Sequence, residues 1–294
     1  MRVRAAFAVT LLLACAACTK KKSEVKAPGR VITLDTDVPG LSGLTRDEHG
    51  ALWAPGERGR AVVRIDPDTF GVTRYAVQGA PEGTDLEAMA WIDGVDFILG
   101  TETQERGRLR DVILDGRLAQ ERFAVAPIGN LEYARWHMTA PDNHGIEGVC
   151  SAGGALVFAT ELVETKQDRR WAPLGVFDPA VQAWTAHRVA LTTKTGKLSG
   201  LDCRMVEGTI QALAIERHFG VSRLLRFSVV RGPESQSIEP VVAADLAELI
   251  TPLPNFEGLT WLPDGSAVLV TDNRYRGRVE GPSQLFFIPA SVMR

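Results

Sequence analysis

The residues best suited to chemistry sit in five short phrases: Leu41-Ser42-Gly43-Leu44, Leu86-Glu87-Ala88-Met89, Ile146-Glu147-Gly148-Val149, Leu198-Ser199-Gly200-Leu201 and Phe256-Glu257-Gly258-Leu259. Each sets a Ser or Glu between a large apolar residue and a small one. Brought together, Ser42, Glu87, Glu147, Ser199 and Glu257 offer three carboxylates and two hydroxyls. Like charges that close repel unless protonated or neutralised, and a bound cation resolves the conflict. An all-oxygen set completed by water or backbone carbonyls suits Ca²⁺, with its flexible coordination, better than Mg²⁺ or Zn²⁺. No HxxxH pair and no Gly-rich phosphate loop competes. The alternative use of these residues is architectural: each Ser or Glu bonds the backbone of a neighbouring unit, because buried polar groups must find partners.

A second set of acids follows the first. Each phrase leads through a polar turn to an apolar run ending in Glu57, Glu102, Glu161, Glu216 or Asp272, with 14, 14, 13, 16 and 14 residues lying between. Two short strands joined by a tight turn have about that length, so the later acid is expected at the same end of the molecule as its phrase. Glu57 and Glu102 are candidate general bases there. Arg58, Arg106, Arg217 and Arg274 follow the acids closely. Guanidinium forks suit phosphate oxygens, which makes a small phosphorylated molecule the expected ligand. The same alternation of acid and Arg would also serve as salt bridges between units. Two stretches, 126–145 and 162–171, are long enough to shape a pocket. His144, three residues before Glu147, is the candidate proton donor or acceptor.

Positioning these groups requires a repeated element. Recurrence of phrase, turn and acid is the mark of a propeller or solenoid. Two further strand-like runs follow each hairpin: 61–65 with 72–77, 108–114 with 122–125, 174–177 with 186–191, and 223–229 with 237–242. The fifth unit supplies 284–288 and lacks a fourth strand, for which 31–34 is available. The expectation is an all-β, five-bladed β-propeller of four-stranded blades, closed by pairing of the N-terminal strand into the last blade, which leaves no open edge. A hydrophobic content of 45% with 28 Gly and 16 Pro fits many short strands and turns. One helical turn is expected at 246–250.

Residues 1–18 read as a signal segment, with Arg2 and Arg4 before an apolar run too short to span a bilayer. Leu12-Leu13-Ala14-Cys15 is similar to a bacterial lipobox, which makes Cys15 the expected site of lipidation and Cys18 the alternative. Residues 19–29, with four lysines, form a hydrophilic tether, and 30–294 form one domain. The expectation is therefore an exported monomer anchored to the bacterial cell envelope. The net charge of −3 becomes −5 without Arg2 and Arg4, which argues against nucleic acid as a partner. Cys150 and Cys203 lie at unequal offsets from their phrases, three after Glu147 and four after Ser199, and are expected as buried free thiols.

The stretches Asp85-Leu86-Glu87-Ala88-Met89-Ala90, His144-Gly145-Ile146-Glu147-Gly148-Val149, Asn255-Phe256-Glu257-Gly258-Leu259 and Val270-Thr271-Asp272-Asn273 resemble the bacterial phytase-like, or esterase-like, propeller family. The order Ser, Glu, Glu, Ser, Glu also resembles the central calcium site of the calcium-activated nucleotidases (apyrases), as does Gly56-Glu57-Arg58-Gly59 their first-blade Asp-Asp-Arg-Thr-Gly stretch. That resemblance implies calcium ligation by Ser42, Glu87, Glu147, Ser199 and Glu257, and hydrolysis of a phosphate ester or anhydride. Thr160-Glu161-Leu162 departs from the basic pair that the nucleotidases place there. Two other readings fit the same residues: a binding propeller with a structural calcium, and a lactonase or esterase with a more apolar mouth.

Overall fold

The computed structural model describes residues 29–57, 60–141, 143–272 and 281–293. The described chain is all-β, with two short 3-10 turns at Tyr133–Trp136 and Leu246–Glu248. The second falls within the helical turn expected at 246–250.

The strands group into four-stranded antiparallel units. The first contains Thr45–Arg46, Leu52–Gly56, Ala61–Ile65 and Val72–Gln78, and the second Thr84–Asp93, Asp96–Thr103, Arg110–Ala119 and Arg122–Glu132. Their outer edges join in parallel, with Ala76, Val77 and Gln78 opposite Arg122, Phe123 and Ala124. The third unit is Ile146–Ala152, Ala155–Thr160, Arg169–Asp178 and Ala183–Ala190, and the fourth Lys197–Val206, Thr209–His218, Val221–Val229 and Val241–Asp245. In the fifth, Phe256–Trp261, Ala267–Thr271 and Gln284–Ile288 are joined by the N-terminal strand Arg30–Thr33, which pairs with Gln284–Phe287. The single strand expected over 237–242 is instead two. Ser237–Ile238 lies parallel to Arg188 and Val189 of the third unit, and Val241–Asp245 completes the fourth. Pro240 separates them; without an N–H it cannot carry a ladder through.

Apolar burial occurs between units. Trp53 and Val62 pack with Leu86, Phe97 and Leu99; Ile98 and Ile113 with Ile146 and Phe158; Val157 and Leu174 with Leu198 and Leu225; Leu213 and Leu224 with Phe256 and Leu259. Leu41, Leu52 and Val63 of the first unit in turn pack with Val268, Val270 and Leu285 of the fifth. Thr45–Arg46 touches both Thr84–Asp93 and Phe256–Trp261.

In four of the five units the repeated phrase is a β-bulge. Pairing skips one residue between Leu86 and Ala88, Ile146 and Gly148, Leu198 and Gly200, and Phe256 and Gly258. The skipped residue is Glu87, Glu147, Ser199 or Glu257, and a bulge re-aims the side chain it leaves unpaired. The small residue that follows is needed for close packing: a Cβ on Gly258 would lie 2.3 Å from the Gly43 carbonyl carbon, and one on Gly148 would lie 2.5 Å from Leu201 Cβ.

Cys150 and Cys203 form a disulfide, with Cα atoms 5.6 Å apart, and are not free thiols. Their unequal offsets reflect a stagger of the inner strands: Gly148 abuts Leu201, the same separation of 53 residues that relates the two cysteines. The phrases themselves are 52 apart, so counting from phrase to phrase misplaces the pair by one. Reducing this bond, which closes a loop of 53 residues, is expected to lower stability by about 2–4 kcal/mol. Urea unfolding with and without dithiothreitol measures it.

Candidate functional site

Strand register sets the mouth of the site. Asp85 is opposite Glu102, and the N–H groups of Glu57, Glu161 and Asp272 donate to the carbonyls of Gly40, Gly145 and Asn255 at 2.8, 3.1 and 2.9 Å. In four units an acid therefore faces the residue just before the phrase. The fourth unit departs from this pattern. Lys197 is opposite Arg217, and Leu198 opposite Glu216. The acid expected at this mouth, Glu216, instead accepts from the N–H and hydroxyl of Thr192 (2.9 and 2.5 Å) and of Thr193 (2.9 and 2.6 Å). The longer spacing of 16 residues in this unit was the signal of the change.

A cavity of about 360 Å³ opens between these groups. Among the described residues seven carboxylates line it: Glu57, Asp85, Glu87, Glu102, Glu147, Glu161 and Glu257. Against them stand Lys197 and Arg217, both already engaged. Arg217 grips Glu257 through Nε at 2.9 Å and through Nη2, while Lys197 pairs with Glu161. Asn255 Nδ2 also donates to Glu257 Oε1 at 2.7 Å. Carboxylate oxygens of Glu57, Glu257 and Asp272 lie within 4.8 Å of one another, as do those of Asp85, Glu87 and Glu102. Glu102 is 3% exposed, and its Oε2 has no hydrogen-bond partner among the described residues.

Burial and mutual repulsion push these acids toward their neutral forms. Desolvation raises the Glu102 carboxyl to about 8, aided by the charge of Glu161. Burial raises Glu257 to about 7 against the opposing pull of Arg217. Glu87 and Glu147 are raised well above the usual range, first by burial and then by the surrounding glutamates. A folded value above the unfolded 4.5 means that the native state holds more protons, so each such acid withdraws stability as pH rises from about 4.5 toward 8. Metal-free protein is thus expected to melt at a higher temperature at pH 5.5 than at pH 8 in differential scanning fluorimetry. A flat or rising profile would contradict this electrostatic picture.

Glu57, Glu87, Glu102, Glu147, Glu257 and Arg217, all expected at the site, line the cavity. Ser42 and Ser199 do not: the Ser42 hydroxyl donates to the Glu87 carbonyl at 2.7 Å and that of Ser199 to the Phe256 carbonyl at 3.0 Å, each tying one unit to another. Arg106 is exposed and outside the lining. Its neighbour Arg108 is buried, paired with Asp111 at 2.6 Å and donating to the His144 carbonyl at 2.7 Å, which fixes the loop before Glu147. His144 is not part of the lining, and its Nε2 lies 3.9 Å from Glu161 Oε2. Arg58, Arg274 and Cys15 lie outside the described residues.

Of the two long stretches, 126–145 contributes Asn143 to the lining. The other folds into a hairpin of Glu164–Lys166 against Arg169–Trp171, and its Arg169 pairs with Glu239. The sequence reading missed Asp85 and Lys197 as site residues, although each immediately precedes a phrase. It also missed His218, whose value burial and the nearby cations Lys197 and Arg217 lower, and the adjoining wall of Phe219, Val221, Leu253 and Pro254.

Residues 23–275 match the model of the phytase-like family, described by the esterase-like activity of phytase. No curated protein matches the chain. In overall structure it is similar to a glucose dehydrogenase (TM-score 0.54, 13% identity, 89% of this chain and 100% of that one). A second glucose dehydrogenase structure gives 0.53 at 12% identity over the same shares. The PQQ-bound form of aldose sugar dehydrogenase from Streptomyces coelicolor gives 0.49 at 14% identity, over 89% and 99%. At these identities the two glucose dehydrogenases speak to the fold alone, which is propeller-like.

Proposed function

Since the chain belongs to the phytase-like family, we propose that its acidic cavity is the active site of a calcium-dependent hydrolase of phosphate esters. The observation that carries this reading is the cavity itself, in which, among the described residues, seven carboxylates face two engaged cations and one buried carboxylate oxygen, Glu102 Oε2, has no partner. Neutralisation by a divalent cation fits that donor set. Its all-oxygen chemistry favours Ca²⁺, with Glu87, Glu147 and Glu257 as the residues that would hold it. Bound there, Ca²⁺ would supply positive charge to substrate oxygens.

The chain's own groups do the rest. Glu102, buried at this mouth with an oxygen that has no partner among the described residues, is placed to exchange a proton with an attacking water. Glu57, half-buried at the same mouth, is the second candidate for that task. Arg217 holds Glu257 in place through two bonds and brings a guanidinium to the lining, where it meets an anionic substrate.

We read the five units as blades of one closed propeller, supported by the apolar packing of fifth unit against first and by the pairing of Arg30–Thr33 into the fifth. Export is part of the same proposal, supported by the Cys150–Cys203 disulfide, which belongs in an oxidising compartment; a lipid on Cys15 is proposed from the Leu12-Leu13-Ala14-Cys15 stretch alone. The test of function is phosphate release from phytate, simple phosphomonoesters and nucleotides, with lactones alongside, in calcium and in chelator. Calcium-dependent release from at least one phosphoester is expected; inactivity of the calcium-loaded protein on all of them, or action on lactones alone, would contradict the proposal.

A further inference from the structure

The cavity is not lined by charge alone. The turn between Thr209–His218 and Val221–Val229 carries Phe219 at its tip. His218 pairs with Val221, so Phe219 and Gly220 are the whole turn, which Gly220 closes at φ 75°. Such tips usually carry small polar residues. Phe219 is 86% exposed and yet belongs to the cavity lining, as do the part-buried Val221, Leu253 and Pro254. Its ring meets that of His218 at 81° with centroids 5.1 Å apart and stacks on no other ring among the described residues. A lone exposed apolar side chain is ordinary. Four that line a cavity otherwise built mainly of charged and polar groups give it a second chemistry, since binding pockets pair apolar surface with a few placed polar groups.

We infer that this apolar wall is a subsite for the leaving group, selecting esters of aromatic or other flat apolar alcohols. The inference rests on the hydrolase reading of the same cavity and narrows its substrate class. The carboxylates and the groups they hold address the charged end of the ester. Phe219, Val221, Leu253 and Pro254 offer nothing to a polyhydroxylated leaving group, whose hydroxyls would lose water there without gaining partners. An aromatic ring loses no such bonds and gains an offset-stacked or edge-on contact with Phe219. Phe219 itself has no part in the buried clusters, so its removal leaves the fold alone.

The test compares calcium-loaded wild type, Phe219→Ala and Phe219→Trp on 1-naphthyl phosphate and glycerol phosphate. The expected result is that Phe219→Ala raises KM for naphthyl phosphate about three- to tenfold, at the strength of an aromatic pair, with kcat unchanged. Phe219→Trp restores KM, and glycerol phosphate is insensitive to either substitution. Equal effects on the two esters, or none, would overturn the inference. Should wild type hydrolyse neither ester, the hydrolase reading is decided separately, by the wider panel of phytate, phosphomonoesters and nucleotides. The subsite is then decided by calorimetric titration with phenylphosphonate and methylphosphonate: an aryl preference lost in Phe219→Ala supports it, and equal affinity or no binding of either overturns it.

Discussion

Glu102→Gln is expected to reduce turnover of a phosphomonoester by about 10²- to 10⁴-fold, the ordinary contribution of a positioned acid or base, while the protein stays folded. The substitution keeps shape and removes the ionisable group, and with it both proton exchange and the negative charge. It also carries a second signature. Because burial and the charge of Glu161 hold the Glu102 carboxyl near 8, its ionised form is a liability to the metal-free fold. The variant should therefore lose less stability between pH 5.5 and pH 8 than wild type does. Lost turnover together with this flattened profile, read by phosphate release and scanning fluorimetry, identifies a proton-transfer group; unchanged turnover removes Glu102 from the mechanism.

The second large effect concerns calcium. A ligand that binds only the native state, present at a hundred times its dissociation constant, adds about 2.7 kcal/mol. For a domain of this size each kcal/mol moves the melting temperature by about 2–4 °C, so calcium should raise it by roughly 5–10 °C. Glu147→Gln should abolish most of that rise. The same variant should melt higher than wild type in chelator, because Glu147 is buried among Glu161, Glu102 and Glu257 and its charge is repelled by all three. Opposite shifts in the two conditions separate a metal ligand from a residue that merely packs. If calcium moves neither protein, the glutamates are held by protons and architecture.

Much of the arrangement was legible in the sequence because it is repeated. The phrases could be aligned with one another, and four of the five prove to be bulges that re-aim the central residue and press the small residue against the next unit. The later acids were found in the same way at Glu57, Glu102, Glu161 and Asp272. What broke the repeat was misread. In the fourth unit the longer hairpin puts Arg217 at the mouth and turns Glu216 toward Thr192 and Thr193. The one-residue stagger between inner strands, invisible to phrase counting, hid the pairing of Cys150 with Cys203. Ser42 and Ser199 share the phrase position with the glutamates, but their hydroxyls are too short to leave the junction and are satisfied by carbonyls of another unit. The apolar wall has no periodic signature at all, since Phe219 sits in a turn and Leu253 and Pro254 in a loop that only the fold brings beside it.

The central claim, that the acidic cavity holds calcium, is met most directly by a crystal structure of the protein grown in calcium, with anomalous scattering to identify the ion. The account predicts a calcium ion touching carboxylate oxygens of Glu87, Glu147 and Glu257. Carboxylates paired only with one another, with Lys197, Arg217 and water, and no ion among them at saturating calcium, would contradict it.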